Sequence, residues 1–461
     1  MRRESDFLGE VELPDYAYYG VQTARAARNF PVSGIREPEE LIHGYVLLKR
    51  AAAMANREVG VLDAERADAI VKASDAILRG EHSDQFPLDV FQAGAGTSVN
   101  MNVNEVLANL ALEYMGHKKG EYQYVHPNDH VNKGQSTNDT FTSACHIAVV
   151  LALPSLLVAL DNLAAAFEAK SQEFAEVIKS GRTHLVDALP IMLGHEMGAY
   201  ASAVRRARGR IEERGNDLYE LEVGGTAVGT GANAHPLFRQ TFFRIIAEET
   251  KLPFRPSPNS FESLETRAQL GAFMSSLKEL SVELIRICND LRLLASGPAT
   301  ALGEIVLPAV QPGSSIMPGK VNPSMPECLT MIAFQVIGDD TAVVLASQGG
   351  QLELNIWTPL IIHDVVSSMK HYSNFLPVFT ERCIKGIVAN EERCAYHLMN
   401  NPILATLLAP KIGYARSAEL AEESEATGIS VPELAVKKGL ITEEESREIF
   451  DPKEMAKVHF Q

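Results

Sequence analysis

LETRAQLGAFMSSLKELSVELIRICNDLRLL, residues 264–294, carries Leu270, Phe273, Leu277, Leu280, Leu284, Ile287, Leu291 and Leu294 at alternating steps of three and four. That spacing draws one apolar stripe along an α-helix and holds it for more than three heptads. Two arrangements satisfy the stripe: a helix buried in the core of one subunit, or a bundle helix shared between subunits. Working outward, residues 41–56 and 63–78 read as helices. Residues 147–178 are mostly Ala, Leu, Val and Glu, interrupted at Pro154, which predicts a kink or a late helix start. Downstream, 327–352 carries Gly338, Ala342, Ala346 and Ser347, small enough for a neighbouring helix to approach closely, and 355–383 reads as a further helix after Pro359. No strand-like alternation exceeds a few residues. The expectation is an all-α chain in three regions: a mixed, mainly helical N-terminal domain (1–139), a central long-helix bundle (140–395) and a small C-terminal helical domain (396–461).

Composition narrows the function. The 461 residues are 46% hydrophobic and 22% charged, as in a soluble globular protein. A net charge of −17 disfavours nucleic acid and anionic membrane surfaces, both of which select cationic patches. An anionic substrate would need a locally positive site. The sequence shows no charged-then-apolar leader and no evident run of about 18 apolar residues, so a cytoplasmic location is expected, with neither nucleic acid nor membrane as partner. Cys145, Cys288, Cys328, Cys383 and Cys394 include no Cys-x-x-Cys pair, and the thirteen histidines show no His-Glu-x-x-His spacing. Buried thiols are expected, with neither disulfides nor a metal site.

Four polar stretches interrupt this helical background. Gly94-Ala-Gly-Thr97-Ser98 precedes Asn100, Asn102 and Asn104, and supplies backbone and side-chain donors for an anion, with Thr97 or Ser98 placed to cap a helix. His126-Pro-Asn-Asp129 forms a polar nook, and Ser136, Thr137 and Asn138 read as a helix N-terminus, where free amides and the dipole favour a carboxylate. In Gly181-Arg-Thr183-His184-Leu185, expected to follow a helix ending at Ser180, His184 beside Thr183 is a candidate to orient or protonate a leaving group. Gly313-Ser-Ser-Ile-Met-Pro-Gly-Lys-Val-Asn-Pro323 puts two hydroxyls and a cation on a glycine-bearing loop: Ser314 is the candidate base, Ser315 and Asn322 are donors, and Lys320 is the cation. Taking a proton from carbon beside a carboxylate concentrates a second negative charge there, so fixed donors must surround it.

These stretches, and their order from Tyr19-Gly-Val-Gln-Thr23 to Gly413-Tyr414, resemble the aspartase/fumarase superfamily over essentially the whole chain. The resemblance implies a homotetramer whose central helices assemble into a multi-helix core, with each active site built from three subunits. It implies cofactor-free elimination from a substituted succinate, with Ser314, His184 and Lys320 catalytic. Thr97, Ser136, Thr137, Asn138, Thr183, Ser315 and Asn322 would bind a small dicarboxylate. Gly94-Ala-Gly-Thr-Ser98, Gln135-Ser-Thr-Asn-Asp139 and Gly120-Glu-Tyr-Gln-Tyr124 are similar to aspartate ammonia-lyases, so removal of ammonia from L-aspartate to give fumarate is the leading expectation. Fumarate hydration, another substituted succinate and a noncatalytic relative are the alternatives. Two positions depart from the family's pattern: Ala299 stands where arginine is usual after Ser296-Gly-Pro298, and Val186 where glutamine commonly follows Thr-His-Leu.

Overall fold

All eight stripe residues of the Ala268–Leu294 helix are 0–6% exposed, so the chain itself covers the seam. That assigns the seam to the subunit's own core. The computed structural model describes residues 1–459, in which Thr137–Glu173, Leu193–Asp217, Ala268–Leu294, Ser324–Gln348 and Thr358–Arg382 are the long helices. The chain is all-α in class; its strands among the described residues form four two-stranded pairs. Residue contacts divide it into one unit of Met1–Leu157, Gly209–Glu279 and Phe334–Ser373, and another of Val158–Arg208, Leu280–Ala333 and Asn374 onward. Each boundary falls inside one of the long helices.

Three expectations need correction. The long helix begins at Thr137, at the N-terminus read from Ser136-Thr137-Asn138, and runs through Pro154 without stopping, so no late start falls there. Pro154 forfeits one backbone hydrogen bond but stands exposed, while Leu153 and Leu156 beside it are buried, and their packing outweighs the local cost. That helix ends at Glu173, so the stretch before Thr183 is not helical. Ile178–Thr183 is a strand antiparallel to Val186–Met192. Gly181 and Pro190 both disfavour helix here, and Asn401 ties the strand down by donating to Ser180 Oγ at 3.0 Å. Finally, Thr137–Glu173 and Ser324–Gln348 are each long and apolar enough, by composition, to cross a membrane. In the first, most of the apolar window is buried inside the chain. In the second most of it is not: Met331, Phe334, Val344 and Leu345 all face outward.

Within the first unit, Glu105 organises the N-terminal region. Its buried carboxylate accepts from the backbone N–H of Gly20, Gln22 and Thr23 and from the Thr23 hydroxyl, at 2.6–3.2 Å, satisfying the start of the Val21–Asn29 helix. Burial pushes this carboxyl up to about 7, against the four donors. In the second unit, Leu398, Leu404, Leu408, Leu420, Val431 and Leu434 close a separate small core under the C-terminal helices.

Gly96 sets the entry to the Thr97–Tyr114 helix. It sits at φ +76°, and a Cβ there would lie 2.2 Å from the Phe141 ring. Gly96→Ala therefore combines left-handed strain with overpacking and is expected to destabilise the protein by about 2–4 kcal/mol. The check is a fall in apparent melting temperature; an unchanged melt would mean that Phe141 moves aside at no cost.

Candidate active site

The expected site residues fall into two groups, one in each unit. In the first unit, Ser136 caps the long helix: its Oγ accepts from the Asn138 N–H at 3.2 Å, and its own N–H donates to Asp139 Oδ1 at 3.0 Å. This reciprocal cap leaves Thr137 and Asn138 at the helix N-terminus, where the dipole attracts an anion. Asn138 Nδ2 donates to the Ala227 carbonyl at 2.8 Å, and Thr137 Oγ1 accepts from Asn100 Nδ2 at 2.8 Å. Asp139 is buried, with its carboxylate also accepting from the N–H groups of Gly224 and Thr226. Burial raises its carboxyl to about 6, and those N–H donors oppose the rise. Thr97 stands at the start of its helix, exposed, with Gly96 rather than a side chain at the cap position.

The three asparagines expected near an anion divide between two faces. Asn102 donates to the Gln85 carbonyl at 3.0 Å, a structural tie. Asn100 and Asn104, one turn apart, both donate to Asn132 Oδ1, at 3.4 and 3.2 Å. The same oxygen accepts from Lys49 Nζ at 2.7 Å. Lys49 escaped the sequence reading, although a signal was present: it lies among Tyr45, Leu48 and Ala52 on the apolar face of an amphipathic helix. It is completely buried, and burial lowers its ammonium to about 7, with Asp139 pulling the other way.

In the second unit, His184 and Leu185 form the two-residue tip of the strand pair, between Thr183 and Val186. Both lie in the left-handed region, at φ 56° and 61°. Such tips favour Asn-Gly, so a His-Leu pair stores strain of about 1–3 kcal/mol per residue. A buried ion cluster holds the base of the hairpin. Glu304, with no exposed side-chain surface, receives Arg182 at 3.0 and 2.8 Å and Lys179 at 3.0 Å. Burial pushes Glu304 up, but its two cations outweigh this and hold it below the ordinary glutamate value. The rigid base and strained tip present Thr183 and His184 outward.

The Gly313–Asn322 loop is clasped at its neck: the Gly313 N–H donates to the Lys320 carbonyl at 2.8 Å, and Asn322 Nδ2 donates to the Gly313 carbonyl at 2.6 Å. A Cβ at Gly313 would sit 2.6 Å from that Lys320 oxygen, so the clasp needs glycine. Inside the loop, Ser314 Oγ accepts from the backbone N–H groups of Ile316 at 3.2 Å and Met317 at 3.0 Å. Two amides aimed at one hydroxyl oxygen stabilise negative charge on it. Ser315 and Lys320 are exposed. Among the described residues, the side chains of Thr97, Thr183, His184, Ser315 and Lys320 spend no hydrogen bond on the protein. His126, in contrast, is occupied: its Nδ1 accepts from the N–H groups of Asn128 and Asp129, capping the Pro127–Val131 turn.

A family model described as a lyase matches residues 9–338, and one described as the fumarase C C-terminus matches 404–457. An aspartate ammonia-lyase from a Bacillus species is 48% identical over 455 residues, 99% of this chain and 97% of that protein. A class II fumarate hydratase from Methylorubrum extorquens is 44% identical over 98% of this chain and 96% of its own length. Among solved structures, a fumarate lyase:delta crystallin from Brucella melitensis bound to cobalt superposes with TM-score 0.96 at 44% identity, covering 99% of both chains. Fold, loop and family models together define a lyase. The chain belongs to the aspartase/fumarase superfamily.

Leu185→Gly supplies the residue that the second tip position favours. It is expected to stabilise the protein by about 1 kcal/mol, seen as a higher apparent melting temperature. A lower melt would show that Leu185 is not strained in this turn.

Proposed function

We propose that the protein catalyses reversible elimination of ammonia from L-aspartate to give fumarate. The observation that carries this reading is the pair of backbone N–H groups on Ser314 Oγ, which favours the alkoxide a serine base requires. Ser314 takes the C3 proton, and the C–H electron pair moves into the adjacent carboxylate as an aci-carboxylate dianion. Lys320 stabilises that dianion, with Ser315 and Asn322 as further donors; one such donor is worth about 2.7–4 kcal/mol. The pair then returns to form the C2–C3 double bond, and the C2–N pair leaves with nitrogen as ammonia. Thr97, Ser136, Thr137, Asn138 and Thr183 hold the carboxylates and the amino group, and His184 orients the leaving group. Exposed Ile316 and Met317 give the loop apolar surface to bury on closing over the substrate.

The chain acts in this reading as a cytoplasmic homotetramer. The outward Met331, Phe334, Val344 and Leu345 of the Ser324–Gln348 helix form the face that neighbouring subunits cover. Assembly would let residues of different subunits meet in one site. Size-exclusion chromatography with light scattering should give about four times the 50.3 kDa chain mass; a monomer at working concentration would remove the shared site.

Fumarate hydration is the second reading, supported by the 44% identity to a class II fumarate hydratase. It differs at one chemical point: an ammonium group leaves as neutral ammonia without further protonation, whereas a hydroxyl must gain a proton. Ultraviolet absorbance of the fumarate double bond separates the two. A rise with L-aspartate and none with L-malate is expected, and the reverse result makes the protein a hydratase. Ser314→Ala should lower kcat on the order of 10²–10⁴-fold with an unchanged melting temperature, and full activity in that variant would remove Ser314 from the mechanism.

A further inference from the structure

Lys49 is an expensive residue to keep. Its ammonium is fully buried and makes no ion pair; its acceptors are two neutral amide oxygens, Asn132 Oδ1 at 2.7 Å and Gln135 Oε1 at 3.0 Å. A methionine of similar volume would avoid the cost of burying a charge. What the ammonium does instead is set the polarity of a chain of amides. Asn132 Nδ2 donates to the Gln135 carbonyl at 3.2 Å, which turns Asn132 Oδ1 toward Lys49. That oxygen then also receives Nδ2 of Asn100 and of Asn104. Asn100 spends its second amide hydrogen on Thr137 Oγ1 at 2.8 Å.

Both asparagine Oδ1 atoms on this face are buried without a partner, so donation into Asn132, not acceptance elsewhere, fixes the two amides. Reversing Asn132 would aim its N–H groups at the Lys49 ammonium and at the two other amides, and reversing Asn100 or Asn104 would set an oxygen against Asn132 Oδ1. Thr137 Oγ1 is thereby obliged to accept from Asn100, and its own proton is left to point away from the network. We propose that Lys49 is a positioning residue: through Asn132 and Asn100 it holds the Thr137 hydroxyl as a donor directed at a substrate carboxylate. The proposal rests on Thr137 being a substrate ligand.

The test is steady-state kinetics on the full-length protein and its Thr137→Val, Lys49→Met and Asn100→Asp variants, with melting curves and light scattering to verify folding. Thr137→Val should raise KM for the reacting substrate about tenfold, the value of a hydrogen bond to a charged group, with a smaller change in kcat. Lys49→Met should raise KM similarly. Asn100→Asp replaces the donor by an acceptor, draws the Thr137 proton inward and should do the same, and it decides the matter if Lys49→Met does not fold. The Thr137→Val/Lys49→Met double variant should show no further rise, because both changes remove one interaction. A wild-type KM in Thr137→Val would remove Thr137 from the substrate site. A raised KM there, with folded Lys49→Met or Asn100→Asp at wild-type KM or effects that multiply in the double variant, would overturn the role of Lys49. Loss of kcat and stability with KM unmoved would reduce Lys49 to a structural tie.

Discussion

Burial of apolar stripes on long helices is the constraint from which the rest follows. Once Leu270 to Leu294 and their counterparts fill the interior, the polar stretches have no place except at helix ends and in connections. Those ends carry unpaired backbone N–H groups, and the chain satisfies them with buried carboxylates. Glu105 receives the start of the Val21–Asn29 helix, and Asp139 receives Ser136, Gly224 and Thr226. Each anchor is costly to desolvate, as the raised values of about 7 and about 6 express, and each is retained because several donors converge on it. The outcome is backbone held in place around the small polar side chains at these helix starts.

Electrostatics are organised in the same way. On a chain of net charge −17, a site for an anion needs positive potential that is local. Helix N-termini at Thr97 and Thr137 supply part of it without any cationic side chain. Lys320 carries an exposed cation on its loop, and Lys49 a buried one behind the helix terminus. Arg182 and Lys179, despite their charge, are consumed by Glu304 and serve to brace the strained His184 tip. Exposed Lys320 and the scaffold cations Arg182 and Lys179 therefore differ in their partners.

Much of this was legible beforehand. The stripe of residues 264–294 specified its helix to within a few residues, because a repeated spacing survives any local substitution. The Ser136-Thr137-Asn138 cap was readable for the same reason: hydroxyls before a long apolar run have few other uses. Pro154 misled, since a local breaker was given more weight than the buried Leu153 and Leu156 around it. The Ile178–Thr183 strand was missed because its identity lies in its pairing with Val186–Met192, not in its own pattern.

The sequence by itself determined the helical class and the family, because periodicity and contiguous motifs are one-dimensional properties. Ser314 and the amides that polarise it lie within four residues of each other. Only the tertiary structure decided that His184 sits at a left-handed hairpin tip, that Glu304 braces the hairpin and that Lys49 reaches Thr137 through Asn132 and Asn100. The bonds that carry two of these relations, Asn100 to Thr137 and Arg182 to Glu304, join residues 37 and 122 positions apart in the chain. Hydrogen-bond direction inside a buried network is set by which donors and acceptors packing brings together, and no spacing in the chain encodes it.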